Sequence, residues 1–254
     1  MLDDELSDLP PSDEVTVHYQ PILELGTGRV AGFEALARWD HPTRGVLPPA
    51  AFIARAEETG FITEIDRVVS AFAVEQLAAW QEQRPALDDL WVAVNVSASG
   101  LNWRGTAPAL AAVIDDAGVS PGSVVLEITE TVLLEDSDEV LDALHSLKGI
   151  GVSLALDDFG TAFSSLAYLR RFPFDEIKLD TSFTAELPEV PRSTLLVEAI
   201  LQLAATLDVS VIAEGIERGE QAEWLQTSGC PLGQGYLYSA PVPAPDAELL
   251  LDDR

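Results

Sequence analysis

Hydrophobic residues in this chain fall into short runs and longer helical stripes that alternate along almost its whole length. Two strand-like runs come first, Val15–Leu25 and Arg29–Trp39, on either side of Gly26-Thr27-Gly28. Glycine reaches the positive φ that a tight reversal needs, so the pair predicts a hairpin. Apolar residues then recur at helical spacing over 49–60 and 62–83 (Phe52, Ile53, Ala56; Ile65, Val68, Val69, Phe72, Leu77, Trp80), with Gly60 placed to end the first helix. After Pro85 the rhythm becomes regular. Strand runs at Leu90–Val96, Val124–Ile128, Val152–Leu156, Phe174–Leu179, Val209–Ala213 and Gly235–Tyr238 are each followed by an amphipathic stretch, at 107–117, 135–148, 162–171, 192–207, 217–228 and 244–251. Such alternation means βαβ units and a parallel sheet. Six units and the hairpin supply eight strands, the number that closes a small barrel, and no G-x-G-x-x-G follows the first strand to favour a doubly wound open sheet. The predicted fold class is α/β, a (β/α)8 TIM-like barrel whose modified first strand comes from the N-terminal hairpin.

Polar residues stand where these runs end. Asn95 follows Trp91–Val94, Glu127 follows Val124–Leu126, Asp157 and Asp158 follow Val152–Leu156, Lys178 follows Ile177, Glu214 follows Val211–Ala213, and Gln234 enters the last run. A single acid at a strand end is ordinarily a helix cap or a solvated loop residue. Six polar positions about one βα unit apart are what a barrel needs to converge side chains at its C-terminal mouth. With Glu34 the group holds five carboxylates, which would repel one another and raise their own pKa values unless a cation neutralised them. Oxygen donors without a neighbouring Cys or His cluster point to Mg2+ or Mn2+ in preference to Zn2+. The adjacent Asp157 and Asp158 can supply a bridging carboxylate and a second ligand, as two-metal hydrolysis of a phosphate ester requires. Lys178 suits an attacking water or phosphate charge, or else an ion pair with Asp180 or Glu176.

Composition narrows the partners. At 254 residues and 47% hydrophobic, the chain is the size of one barrel. We expect a single domain over 15–254, preceded by an acidic, disordered leader or linker stub over 1–14, where six acids and Pro10-Pro11 stand. Only 14 Lys and Arg oppose 43 Asp and Glu, a formal net charge of −29, so no basic stripe exists to grip a nucleic-acid duplex. The acidic N-terminus does not read as a signal peptide, and no apolar run reaches the ~18 residues that cross a bilayer. With Cys230 as the only cysteine, no internal disulfide can form, and a cytoplasmic location without membrane contact is expected. Cys230 reads as a small buried apolar residue, Trp39 and Trp91 as packing residues, His18, His41 and His145 as packing or surface residues, and Ser164-Ser165 as a helix cap.

Eight ordered blocks then carry a resemblance. Tyr19-Gln20-Pro21-Ile22, Glu34-Ala35-Leu36 with Arg38-Trp39, Asn95-Val96-Ser97, Glu127-Ile128-Thr129-Glu130, Asp157-Asp158-Phe159-Gly160-Thr161, Ile177-Lys178-Leu179-Asp180, Ala213-Glu214-Gly215-Ile216-Glu217 and Gln234-Gly235-Tyr236-Leu237 resemble the EAL-domain cyclic di-GMP phosphodiesterases. The resemblance implies hydrolysis of cyclic di-GMP to linear pGpG with two Mg2+ or Mn2+ ions. It implies Glu34, Asn95, Glu127 and Asp157 on the first metal and Asp157, Asp158 and Glu214 on the second. Lys178 would position the attacking water with help from Glu214, while Glu130, Asp180 and Glu217 would support the site. Gln20, Leu36, Arg38 and Gln234 would contact the dinucleotide. A homodimer and a regulatory protein or domain are further expectations. The alternative is a receptor that binds cyclic di-GMP without hydrolysing it and signals through a partner. One departure stands out: where the family usually has Gly-Tyr, this chain has Ala162-Phe163.

Overall fold

The computed structural model describes residues 9–102, 104–133, 138–160 and 171–252. The predicted hairpin sets its frame. β1 (Val15–Glu24) and β2 (Val30–His41) pair antiparallel from Val15↔Trp39 to Leu23↔Val30, and β2 is extended by the short edge strand β3 (Gly45–Leu47). From β2 onward each barrel strand is parallel to the last: β4 (Trp91–Asn95), β5 (Val124–Thr129), β6 (Ser153–Phe159), β7 (Glu176–Leu179), β8 (Ser210–Ala213) and β9 (Leu232–Gly233). β9 returns to pair antiparallel with β1, which closes eight strands into a barrel in which β1 runs against both neighbours. The two-residue β10 (Val242–Pro243) lies against β1.

Helices cover the outside. They are α1 (Ile53–Thr59), α2 (Ile62–Gln83), α3 (Ala98–Asn102), α4 (Thr106–Ala117), α5 (Glu130–Leu133), α6 (Asp138–Gly149), α7 (Thr181–Thr184), α8 (Pro191–Leu207), α9 (Gly219–Thr227) and α10 (Ala244–Leu249). α2 buries Ile62, Ile65, Val69, Ala73, Val74, Leu77 and Trp80; of the stripe that the sequence spacing predicts, Ile65, Val69, Leu77 and Trp80 are buried, whereas Val68 is half-buried and Phe72 is exposed. The Trp80 ring packs 4.9 Å from that of Phe33 and 5.0 Å from that of Tyr19, joining α2 to the hairpin. Each fully buried Ile, Val or Leu of this stripe contributes about 1.5–3 kcal/mol through apolar burial.

Inside the barrel, Ala93, Val125 and Ala155 form a small core with Trp91 packed against it. Gly32, in register with Trp91, makes room for the indole: a Cβ at Gly32 would lie 2.4 Å from Trp91 Cδ2. Trp91 of β4 thus fills the space beside these small residues, below the strand ends that carry the polar cluster.

Two expectations are corrected. The last barrel strand is Leu232–Gly233 and not Gly235–Tyr238. Gly235 instead packs on the backbone of Ile216, where a Cβ would approach within 2.2 Å, and Tyr238 N closes a turn on Gly235 O. Packing also begins before Val15. Pro10 is buried, Leu9 joins the cluster of Val15, Trp39 and Phe52, and Glu14 accepts a hydrogen bond from Trp39 Nε1 at 2.8 Å. An apolar contact and a carboxylate partner hold residues 9–14 that acidity alone would leave in solvent. The helix expected at 162–171, with Ala162-Phe163 and Ser164-Ser165, lies outside the described residues apart from Arg171.

Candidate active site

Lys178 occupies the centre of the mouth, 1% exposed. Its Nζ lies 2.8 Å from Glu214 Oε1, 2.9 Å from Glu127 Oε2, 3.3 Å from Glu34 Oε2 and 3.4 Å from Asp157 Oδ1. Four strands therefore aim a carboxylate at an ammonium delivered by a fifth. These partners replace Asp180 and Glu176, the sequence neighbours that an ordinary ion pair would have used. Asn95 Nδ2 donates to Glu34 Oε1 at 3.1 Å, and Gln234 Nε2 donates to Glu34 Oε2 at 2.7 Å and to Glu214 Oε1 at 3.0 Å.

Neighbouring residues on a regular strand point to opposite faces, so Asp157 and Asp158 need a device to share one. β6 supplies it: its register with β7 shifts between Leu156 and Phe159, and Asp158 adopts φ 55. A bulge re-aims side chains, and Asp tolerates the left-handed region better than most residues. Carboxylate oxygens of Asp157, Asp158 and Glu214 consequently lie within 4.8 Å of one another. Glu130, buried at the start of α5, accepts a hydrogen bond from Gly160 N at 3.4 Å and so braces the exit of β6.

The electrostatics follow from burial and crowding. Burial opposes the charge on Lys178, but Glu127, Glu214, Glu34 and Asp157 outweigh it and hold the ammonium well above its ordinary range. Burial and the Glu34 charge push Glu127 well up. For Glu34, burial is outweighed by Lys178 and by donors including Gln234 and Asn95, so its pKa falls. Burial, partly offset by Lys178, takes Glu214 up to about 7. Burial and the adjoining Asp157 also raise Asp158. One lysine does not neutralise five acids.

Divalent cations fit this donor set. The ligands are oxygens, as hard ions prefer, and the buried oxygens Glu127 Oε1 and Gln234 Oε1 have no hydrogen-bond partner among the described residues. Glu34, Asn95, Glu127, Asp157, Asp158 and Glu214 could hold such ions, whose charge would offset that of the carboxylates.

Two cavities flank the cluster and share Glu34 and Leu36. The larger, about 670 Å³, is walled by Ile53, Glu57, Asn95, Ser97 and Thr131 among others. The smaller, about 360 Å³, is walled by Gln20, Thr181, Glu214, Glu217, Gln234 and Tyr236. Gln20 Nε2 donates to Ser239 O at 3.2 Å, and Arg38 Nη1 donates to Ala37 O at 2.8 Å, so both have turned their donors to the backbone. Asp180 caps α7 by accepting from Ser182 N at 3.0 Å, and Glu217 is exposed on the cavity wall.

Asp66 on α2 also lines the larger cavity, a residue that no motif or strand end marks. It accepts hydrogen bonds from Ser97 N at 3.0 Å and Ser97 Oγ at 2.6 Å, anchoring the turn after Asn95, and burial pushes its pKa up to about 6 despite those donors. The available signal was a charge beside Ile65 within an apolar stripe.

Below the mouth, Glu176 shares Lys178's face of β7 and stands in register with Ala155 of the barrel core. Its Oε2 is buried without a hydrogen-bond partner among the described residues, and burial with the neighbouring Asp175 pushes its pKa up to about 7. The folded chain holds this proton to about pH 7, whereas an unfolded chain releases it near the ordinary value of 4.5. Stability from this group therefore falls as pH rises through that window, and the full cost is present above it. Glu176→Gln is expected to stabilise the metal-free protein by about 1–3 kcal/mol at pH 8 and by little at pH 4.5. Thermal melts at the two pH values test this, and equal gains at both would show that the site is not titrating.

Comparison with known proteins places these features in a wider group. The EAL domain family model matches residues 3–241. The cyclic di-GMP phosphodiesterase NbdA of Pseudomonas aeruginosa is 40% identical over 242 residues, covering 95% of this chain and 31% of that protein. The cyclic di-GMP phosphodiesterase PdeR of Escherichia coli is 38% identical over 243 residues, covering 96% of this chain and 36% of that protein. The chain thus spans about a third of the length of these curated relatives. Among solved structures, the PaMucR phosphodiesterase in complex with c-di-GMP superposes with a TM-score of 0.86 at 36% identity, covering 92% of this chain and 94% of that one.

Proposed function

Because this chain belongs to the EAL-domain family, we propose that it is a metal-dependent phosphodiesterase that hydrolyses cyclic di-GMP to linear pGpG. One observation carries the reading: Lys178 is caged by four carboxylates at the barrel mouth, beside the convergent Asp157, Asp158 and Glu214 and between two cavities. A receptor that only bound the nucleotide would have no use for so costly a concentration of buried charge.

In this reading Glu34, Asn95, Glu127 and Asp157 hold one Mg2+ or Mn2+ ion, and Asp157, Asp158 and Glu214 hold another. Bound there, the ions would lower the pKa of water and stabilise charge on the phosphate oxygens. Lys178 remains an ammonium, so it orients the attacking oxygen as a donor and does not act as a base. Glu214, sharing that ammonium through Oε1, is placed to take the water's proton. Glu130 acts on Asp158 through Gly160, while Asp180 and Glu217 steady the turns after β7 and β8. Leu36, on the ridge between the cavities, contacts the dinucleotide in this reading. Gln20 and Arg38 turn from Ser239 O and Ala37 O to meet it, Arg38 offering phosphate a planar fork of donors, and Gln234 reaches it from the end of β9. The family resemblance that supplies the substrate also supplies a homodimer, a regulatory partner and a cytoplasmic setting; among the described residues no helix is long and apolar enough to cross a membrane.

The test is to incubate the protein with cyclic di-GMP and Mg2+ or Mn2+ and to look chromatographically for the linear dinucleotide. Binding without product would favour the receptor. Ca2+ is expected to bind but to support at most a few per cent of the Mg2+ rate, since its larger and looser shell spoils in-line geometry. Equal rates in the two ions would count against the two-metal site.

A further inference from the structure

We propose that Thr184 and Gln221 are positioning residues for Glu214, fixing its main chain so that its carboxylate meets Lys178 and the paired aspartates. Glu214 is the first residue beyond β8. Its amide donates to Leu179 O at 3.1 Å, and its carbonyl accepts from the Thr184 hydroxyl at the end of α7. Thr184 is fully buried, and its own carbonyl accepts from Gln221 Nε2 at 2.8 Å. Gln221, 2% exposed, uses its oxygen to accept from the amides of Glu217 at 2.9 Å and Arg218 at 2.8 Å. One buried amide side chain thus joins the turn after β7 to the turn after β8.

The joint has little slack. Gly215, next to Glu214, has φ 65 and abuts Thr181, where a Cβ would approach Thr181 Cγ2 to 2.5 Å. A hydroxyl has one proton to give, and the ordinary helical use of it, toward Thr181 O, is also within reach at 3.1 Å. Bonding to Glu214 O instead spends that proton on the residue carrying the carboxylate. Without the donor this part-buried carbonyl would lose a hydrogen bond, and the peptide would rotate to recover one.

Thr184→Val and Thr184→Ala remove the donor, and Thr184→Ser keeps it. In calorimetric titration of the whole chain with Mn2+, the first two are expected to bind roughly tenfold more weakly, with the serine variant close to wild type. Turnover of cyclic di-GMP should fall by a similar factor at unchanged KM. Comparing two donor-free variants keeps the result decidable should valine disturb folding. Wild-type Mn2+ affinity in a folded donor-free variant, or a loss in the serine variant as large as that in alanine, would overturn the proposal. The turnover arm rests on the phosphodiesterase reading. A wild type that binds Mn2+ but forms no linear product would refute that reading alone, with the Mn2+ affinities still deciding the role of Thr184, whereas a wild type that binds no Mn2+ would overturn both.

Discussion

Replacing Lys178 with methionine is expected to abolish hydrolysis and to lower the melting temperature of the metal-free protein by roughly 6–20 °C. Methionine retains the apolar stem but removes the ammonium that Glu34, Glu127, Asp157 and Glu214 share. Breaking a buried ion pair from one side costs about 3–5 kcal/mol, because the remaining charge is left without compensation. The carboxylates will answer by holding protons to higher pH. The deficit should therefore be smallest in acid and grow as pH rises, since the unfolded chain gives up those protons first. Saturating Mn2+ should restore much of the melting temperature but none of the turnover. A metal-free variant that melts like wild type from pH 6 to 8.5 would show that the ammonium is not what holds the acids together.

Asp157→Asn should have a contrasting signature. Turnover is expected to fall by roughly a thousandfold or more, because the carboxylate proposed to bridge two cations loses its charge. Metal-free stability should stay level or rise by about 1 kcal/mol, since Asp157 adds to the repulsion that raises Glu127 and Glu214. The asparagine keeps the acceptor that Asp158 N uses at 2.9 Å, so the bulge need not move. Assays at saturating metal beside metal-free melts separate the effects. Near-normal turnover would sink the assignment of Asp157 as a bridge.

Strands of the parallel part were legible because both of their faces are covered. Runs such as Val124–Leu126 are apolar without interruption, and a polar residue marks each exit. The same feature made Asn95, Glu127, Asp157 and Glu214 visible as a set. Glu34 was harder to find by that rule, since β2 continues to His41 and offers no strand end to mark it. β9 was misplaced because two residues of ladder leave almost no periodicity, and its closing contacts come from Glu24 and Leu23 far away in sequence. Thr184, Gln221 and Asp66 were not legible as site residues. Each acts through a bond to a distant turn, and an isolated Thr, Gln or Asp in a helical stretch reads as a solvated residue until the partner is known.

The reversal of β1 decides how movement outside the barrel would reach its contents. Because β1 descends while the other barrel strands climb, Val15 enters at the level of Trp39, on the same side as the acids. Traveling inward from there, Thr16 faces Arg38, His18 faces Leu36 and Gln20 faces Glu34. A pull on the chain before Val15 would be felt in that order, by the proposed phosphate contact, then the ridge between the cavities, then the proposed metal ligand. The hairpin acts as a tie rod, and its hydrogen-bonded rungs make the coupling stiff: sliding by one rung would turn every side chain to the other face, so any intermediate displacement must be transmitted as strain or recoil.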